Sequence, residues 1–415
     1  MLLIYSLLIN FILLISPIII ILRIIKNKEH PKRFLEKYSI SSEKRKSGKL
    51  VWFHGSSVGE TLSVVPLIEK LEKDKNIDQI LITSNTLSSS KIFEKFNFKK
   101  TVHQFFPIDS NIIVNKFLNY WKPSLVLFIE SEIWPNMITN IKKREINIIL
   151  LNARITKKTF TKWKAIKSLS YQLFNIFNIG LAQNNETVNY LKNLGVKKIK
   201  KIGNLKFSET SINKTNYINK YKLNFLSSKK ILFGAISTHK NEEIICSKIY
   251  DKLKKFYKNS IVIIIPRHAH RCVEIKNELE QKGHSVYLHS SLNKINNHTD
   301  IYLVDTYGET QSFMKLCNVV FLGGSLIKHG GQNPLEAARL GCKVIHGPYT
   351  DNFKEVYNLL DKIKISSKIN NINQAKEKII KSLNKKRNIN KNLKKLNDIG
   401  KNILIENLKE IKKYY

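Results

Sequence analysis

Val319-Val320-Phe321-Leu322-Gly323-Gly324-Ser325-Leu326-Ile327-Lys328-His329-Gly330-Gly331-Gln332-Asn333-Pro334-Leu335-Glu336 joins an apolar run to a glycine-rich turn and then to a helix. The first four residues have the pattern of a buried strand. Leu335 to Gly341 reads as a helix closed by glycine. Two glycine pairs, Gly323-Gly324 and Gly330-Gly331, flank Ser325 in a strand-to-helix turn, where backbone N–H groups can approach a ligand that a Cβ would block. Glu336, one helical turn inside, is placed to accept from hydroxyls such as those of a ribose. No Walker lysine follows the glycines, so a nucleotide or nucleotide-sugar suits the turn better than a bare phosphate. The alternative is a tight turn without a ligand.

Upstream of this turn the same alternation recurs. Ile231 to Ala235, Ile261 to Ile265, Ser285 to His289, Ile301 to Val304 and Lys343 to His346 read as strands, with a helix from Asn241 to Lys255. Before them come strand-like runs at Leu50 to Phe53, Ile80 to Thr83, Val102 to Phe105, Leu125 to Ile129 and Ile148 to Leu151, and a helix from Thr61 to Lys73. Short apolar runs joined through helices imply parallel strands buried on both faces. At 415 residues, two α/β domains are expected. Their boundaries are read as 25–210 for the first and 230–370 for the second, with a polar linker over 211–229 and a lysine- and asparagine-rich helical tail over 371–415.

Residues 1–24 form an apolar segment: Leu2 to Leu22 carries no charge, and its only polar side chains are Tyr5, Ser6, Asn10 and Ser16. That is about 30 Å of helix, enough to cross a hydrocarbon core. Arg23, Lys26 and Lys28 follow it and no Lys or Arg precedes it, which suggests an uncleaved single-pass anchor with the main body in the cytoplasm. The formal charge of +39 is mostly lysine excess among abundant Asn and Ile. Part of it is solvated surface, and part is available to an anionic leaflet or substrate. No zinc-finger spacing or RNP-like motif supports nucleic-acid binding. Cys246, Cys272, Cys317 and Cys342 are scattered without paired spacing, as expected of buried thiols rather than of disulfides or a metal site.

Charged residues gather at the strand ends. His54-Gly55-Ser56-Ser57-Val58-Gly59-Glu60 puts Glu60 in the first turn of a helix, where a carboxylate is favoured and free to act as a base, or serves only as a first-turn acid. Glu130-Ser131-Glu132-Ile133-Trp134-Pro135-Asn136 follows another strand and would shape a sugar-binding floor or cap a loop. Pro266-Arg267-His268 ends a third, where the planar fork of arginine suits a phosphate. Asp305-Thr306-Tyr307-Gly308-Glu309 ends a fourth. Two such domains place a ligand at the carboxyl ends of their strands, in a cleft between facing Rossmann-like domains. This is the GT-B glycosyltransferase layout, which also hosts epimerases.

From the first apolar segment to about Ile363 the chain resembles the 3-deoxy-D-manno-octulosonic acid (Kdo) transferases of lipopolysaccharide core synthesis. The resemblance rests on the motifs above and on Leu151-Asn152-Ala153-Arg154, Ala182-Gln183, Gly203-Asn204-Leu205-Lys206-Phe207 and Ser237-Thr238-His239, in order. It implies Glu60 as proton acceptor in an inverting, metal-independent transfer, with Glu130 and Lys206 stabilising the transition state. Pro266, Arg267, Tyr307, Gly308, Glu309, Asn333, Pro334, Leu335 and Glu336 would hold the CMP part of a CMP-Kdo donor. The acceptor would be the lipid A precursor, lipid IVA, at the inner leaflet of the bacterial inner membrane, and no cofactor is implied. Gly55, Ala269 and Gln332 stand where the family commonly has Ala, Pro and His, all peripheral to these roles. The competing reading is another GT-B enzyme, a transferase or epimerase acting on a UDP-sugar.

Overall fold

The structure, a computed structural model, describes residues 1–208, 218–384 and 389–415; the side chains of 389–392 are not described. The chain forms two compact units, Met1–Thr210 with Asp398–Tyr415, and Ser211–Asn397.

Seven parallel strands form the sheet of the first unit: β1 (Leu50–His54), β2 (Gln79–Ser84), β3 (Thr101–Phe105), β4 (Leu125–Ile129), β5 (Asn147–Ala153), β6 (Ile179–Ala182) and β7 (Ile199–Lys201). Their order is β3-β2-β1-β4-β5-β6-β7. β1, β2 and β4 are buried at every position, which is why they read as unbroken apolar runs rather than alternating ones. The polar groups of the large core indoles are satisfied internally: Trp52 Nε1 donates to Thr83 Oγ1 at 2.9 Å and Trp121 Nε1 to Gln104 Oε1 at 3.0 Å. The helices starting beyond the strand ends open on Ser57, Thr86, Ser110, Thr156 and Asn184, each accepting from a backbone N–H in the first turn. Each such cap is worth about 1 kcal/mol.

A second parallel sheet, with order β10-β11-β9-β8-β12-β13-β14, occupies the other unit. Its strands are β8 (Lys230–Thr238), β9 (Ser260–Pro266), β10 (Val286–Leu288), β11 (Ile301–Leu303), β12 (Val319–Leu322), β13 (Lys343–His346) and β14 (Ser366–Lys368). Residues 211–217 of the expected linker lie outside the described residues. The rest of it contains the helix Lys220–Ser227, whose Leu226 is fully buried in the second unit's core with Ile218 beside it. The tail, expected as one helical segment after residue 371, divides instead. Ala375 and Ile379 of the helix Ile372–Leu383 are buried in the second unit, whereas Asp398–Tyr415 belongs to the first. Apolar residues at helical spacing are buried in both parts, beneath a composition dominated by Lys and Asn.

The first helix, α1 (Leu2–Ile25), is long and apolar enough to cross a membrane. It packs along the first unit, and its outer flank is exposed at Leu3, Leu7, Phe11, Leu14 and Ile18.

Candidate active site

In the first unit the strand order reverses at β1 and β4, which are direct neighbours. A crevice forms at the carboxyl ends of strands on either side of such a switch point. His54 ends β1, and the loop after it is drawn tight, because a Cβ on Gly55 would stand 3.0 Å from Ile129 Cδ1 and 3.2 Å from Glu60 Cβ. The helix Val58–Ser63 then starts on a Ser57 cap, with Glu60 reaching back to the residue before it. Ser57 Oγ accepts from Glu60 N at 3.3 Å and donates to Glu60 Oε1 at 2.8 Å, while Ser56 N donates to Glu60 Oε2 at 2.8 Å. A helix N-terminus alone would hold the carboxyl low. Burial, together with the negative charges of Glu132 and Glu130, instead pushes it above its ordinary value, against the hydrogen bonds of Ser57 and Ser56.

Glu130, just past β4, is 9% exposed and has left-handed backbone, with φ at 57°. A non-glycine residue there costs of order 1 kcal/mol and persists only where the surroundings hold it. Lys206 Nζ donates to Glu130 Oε1 at 3.0 Å. The lysine sits on the short turn Leu205–Ser208, which is fixed by Leu205 N donating to Asn152 Oδ1 at 3.0 Å and Lys206 N donating to Asn204 Oδ1 at 2.9 Å. Asn152 is anchored in turn by Gln183 Nε2, which donates to its carbonyl at 2.9 Å. The motifs around Asn152, Gln183 and Asn204 are therefore scaffolding for the lysine.

The structure adds a network that the sequence shows only as two nearby acids. Ser56 Oγ and Trp134 Nε1 donate to Glu132 Oε2 at 2.5 and 2.9 Å, and Asn85 Nδ2 donates to Ser56 Oγ at 2.8 Å. His54 Nε2 stands 3.3 Å from the same carboxylate oxygen. Burial alone would raise Glu132, but His54, Ser56 and Trp134 outweigh it and hold the carboxyl below its usual range. His54 is fully buried and stacked on Phe106 at 3.8 Å between centroids. Burial lowers its basicity, against the opposing pull of Glu132. The sequence signal for this network was the second acid two residues after Glu130, at the end of a strand adjacent to His54.

The second unit has its own reversal, at β8 and β12. Here the geometry revises the reading of the glycine-rich turn. Gly324 N, Ser325 N and Leu326 N donate to the carboxylate of Glu242 at 2.6, 3.1 and 3.0 Å, as does His239 N at 3.0 Å. The amides expected to face a ligand are occupied by a side chain that is 0% exposed. Gly323 is required by close packing, since a Cβ there would lie 2.2 Å from the Ser237 carbonyl oxygen. Gly330 and Gly331 have left-handed backbone and pack on Asn352 and Thr350.

The other expected donor-binding residues stand at the carboxyl edge of this sheet. Pro266 is buried at the end of β9, and the exposed Arg267 is fixed through its N–H, which donates to the Thr238 carbonyl at 2.9 Å. Tyr307 is 74% exposed beside Gly308, whose φ is 90°. Glu309 accepts from Thr306 Oγ1. Asn333 Oδ1 accepts from Leu335 N at 3.1 Å, Pro334 and Leu335 are buried, and Gln311 Nε2 donates to Glu336 Oε1 at 2.5 Å. A histidine cluster joins them: the His239 ring lies 4.0 Å from that of His329 and 6.2 Å from that of His268. Burial first, then His329, His268, Arg267 and Arg271, depress His239 to about 4. A ring so depressed stays neutral, and the fixed positive charges of Arg267 and Arg271 beside it suit an anion. Among the described residues no group of three or more His, Cys, Asp or Glu is arranged to hold a metal ion.

Two doubly wound parallel sheets in one chain, each with charged residues at the carboxyl edge of its reversal point, define the GT-B class. A solved UDP-N-acetylglucosamine 2-epimerase shares the fold, with a TM-score of 0.57, covering 90% of this chain and 98% of that one at 13% identity. The sequence profile of the family described as 3-Deoxy-D-manno-octulosonic-acid transferase (kdotransferase) matches residues 32–209. The 3-deoxy-D-manno-octulosonic acid transferase of Rickettsia bellii is 34% identical over 341 residues, 82% of this chain and 81% of that protein. That of Haemophilus influenzae is 27% identical over 86% of this chain and 85% of its own. The chain belongs to the Kdo transferase family and is a glycosyltransferase.

Proposed function

We propose that the protein transfers Kdo from CMP-Kdo to a hydroxyl of lipid IVA at the cytoplasmic face of the inner membrane, with inversion and without a metal. The acceptor oxygen bonds to the anomeric carbon as the bond to the phosphate oxygen breaks, the acceptor proton passes to Glu60, and CMP leaves as a phosphate monoester. Lys206, held on Glu130, offsets negative charge developing beside the sugar, and Arg267 with its neighbouring histidines receives the phosphate. Tyr307, Gly308, Glu309 and the segment Asn333 to Glu336 bind the rest of the nucleotide.

The observation that carries this reading is Glu60: a carboxyl at the first unit's switch point, pushed upward by burial and by two neighbouring acids, and so a stronger base than an ordinary glutamate. An anionic acceptor is supported by residues 146–185, which hold six cations (Arg154, Lys157, Lys158, Lys162, Lys164 and Lys167) and no acid. Arg154 N donates to the Glu130 carbonyl at 3.3 Å, and the helix Lys157–Ala165 that follows buries none of its residues.

Product mass analysis after incubation with lipid IVA and CMP-Kdo, with UDP-sugars as controls, tests the reaction. Glu60→Gln should lower transfer by about 10²-fold or more with an unchanged melting curve. Wild-type transfer by that variant removes the base assignment, and turnover of a UDP-sugar alone removes the donor.

A further inference from the structure

Helix α1 is laid on the first unit along its whole length. Its protected positions are 2, 5, 6, 9, 13, 16, 20, 23 and 24, a spacing of threes and fours unbroken from first turn to last. Polar side chains on this stripe bond to the domain at successive levels. Tyr5 Oη donates to Asp109 Oδ2 at 2.8 Å, Ser6 Oγ donates to Asn136 Oδ1 at 2.8 Å, and Ser16 Oγ and Tyr38 Oη share a hydrogen bond of 2.8 Å. At the far end Arg23 Nε reaches Glu29 at 3.1 Å. The opposite flank is almost wholly apolar, with Leu3 74%, Leu14 78% and Ile18 64% exposed.

These contacts oppose an end-on crossing. Twenty-four residues span about 36 Å, the whole hydrocarbon thickness. A perpendicular α1 would either drag Asp109, Asn136 and Tyr38 into the acyl layer or abandon them. Asp109 is 2% exposed and burial already pushes it up to about 6, so a deeper apolar setting would penalise its ionised form further.

We infer that α1 lies in the plane of one leaflet, its stripe sealed to the first unit and its other flank sunk among acyl chains, rather than spanning the bilayer. The inference rests on the membrane association proposed above. An in-plane helix needs to enter only about 5–10 Å. The basic helix Lys157–Ala165 fits the same orientation, because its Phe160 and Trp163 pack on the apolar cluster that also receives Leu2 of α1. Its lysines then meet anionic headgroups while α1 meets their chains. The arrangement also positions the site: Asn136, which Ser6 holds, lies in the first turn of the helix Pro135–Lys143, directly after the loop of Glu130, Glu132 and Trp134. That loop is thereby kept at headgroup depth.

All four native cysteines are buried, so one cysteine in a short polar tag ahead of the first residue reports topology cleanly. A membrane-impermeant maleimide should leave this tag unlabelled in intact spheroplasts of a Gram-negative host. After permeabilisation, labelling should rise to the level of a matched tag beyond Tyr415, with the protein in the membrane pellet throughout. Labelling of the front tag in intact spheroplasts, with the protein still in the pellet, overturns the in-plane arrangement and leaves membrane association standing. Recovery of the protein in the soluble fraction overturns both.

Discussion

Replacing Glu242 with Gln should destabilise the second unit more than any other isosteric change of a charged residue near its switch point. The carboxylate accepts four backbone hydrogen bonds, from Gly324 N and His239 N on Oε2 and from Ser325 N and Leu326 N on Oε1. A glutamine offers one carbonyl oxygen, which serves one pair, and turns an NH2 group toward the donors of the other. Hydrogen bonds to a buried charge contribute about 1.5–3 kcal/mol each, so losing two amounts to roughly 3–6 kcal/mol. For a unit of this size 1 kcal/mol moves the melting temperature by about 2–4 °C, and the shift should therefore be roughly 6–24 °C. Circular dichroism melts at fixed pH, with urea titration as a second measure, read this directly. Glu243→Gln is the internal control, because Glu243 takes its long-range bonds from two side chains, Thr238 Oγ1 at 2.9 Å and Arg271 Nη1 at 3.1 Å, rather than from the amides of the glycine-rich turn. A Glu242→Gln protein within about 1 kcal/mol of wild type, or no less stable than Glu243→Gln, refutes the reasoning.

Two further outcomes follow from the first unit. Proton acceptance needs Glu60 ionised, so kcat/KM should rise as pH climbs through its raised pKa; Glu132→Gln removes one of the charges that raise it and should move this acid limb to lower pH. A limb that stays put or moves upward shows that Glu60 is not the titrating base. Gly400→Ala would put a Cβ 2.3 Å from the Phe207 carbonyl oxygen, forcing the turn Leu205–Ser208 and its lysine away from Glu130. It should lower kcat, as Lys206→Met should, at unchanged KM for the donor, and wild-type kcat in a folded Gly400→Ala protein means that the turn tolerates the shift.

Much of the fold was legible because central parallel strands announce themselves. Leu50 to Phe53, Leu125 to Ile129 and Ile261 to Ile265 are runs with no polar interruption, and only a strand covered on both faces tolerates that in an α/β chain. The strands that escaped were those toward one edge of each sheet: β6, β7 and β14, of which Ile199-Lys200-Lys201 and Ser366-Ser367-Lys368 have only three residues each. Three residues carry no period, and Lys on an edge strand protects against pairing with another chain rather than marking a core. The docking stripe of α1 was open to reading, since Tyr5 and Ser16 are eleven residues apart, three full turns, and so share a face. The apolar residues of the helix outnumber these polar ones and lie mostly on the flank that faces away from the protein.

The residues of the candidate site were legible by type, and their partners less so. Glu60, Glu130 and Lys206 stand together because strand ends converge at a switch point, a property of topology that the sequence carries through its alternation of strands and helices. The destination of the glycine-loop amides was hidden for the same reason in reverse. A row of backbone N–H groups at a strand end attracts an anion, and the physics does not distinguish a ligand phosphate from a buried carboxylate. What decides is whether an acid just past the neighbouring strand can reach, and Glu242, 82 positions before Gly324, does so because β8 and β12 are paired. Once that carboxylate fills the backbone cradle, the proposed phosphate recognition would fall to side chains, to the guanidinium of Arg267 with His239, His268 and His329 around it. The positive charges of Arg267 and Arg271 and the two neighbouring histidines add to the burial that depresses His239, and an arriving anion would oppose that effect.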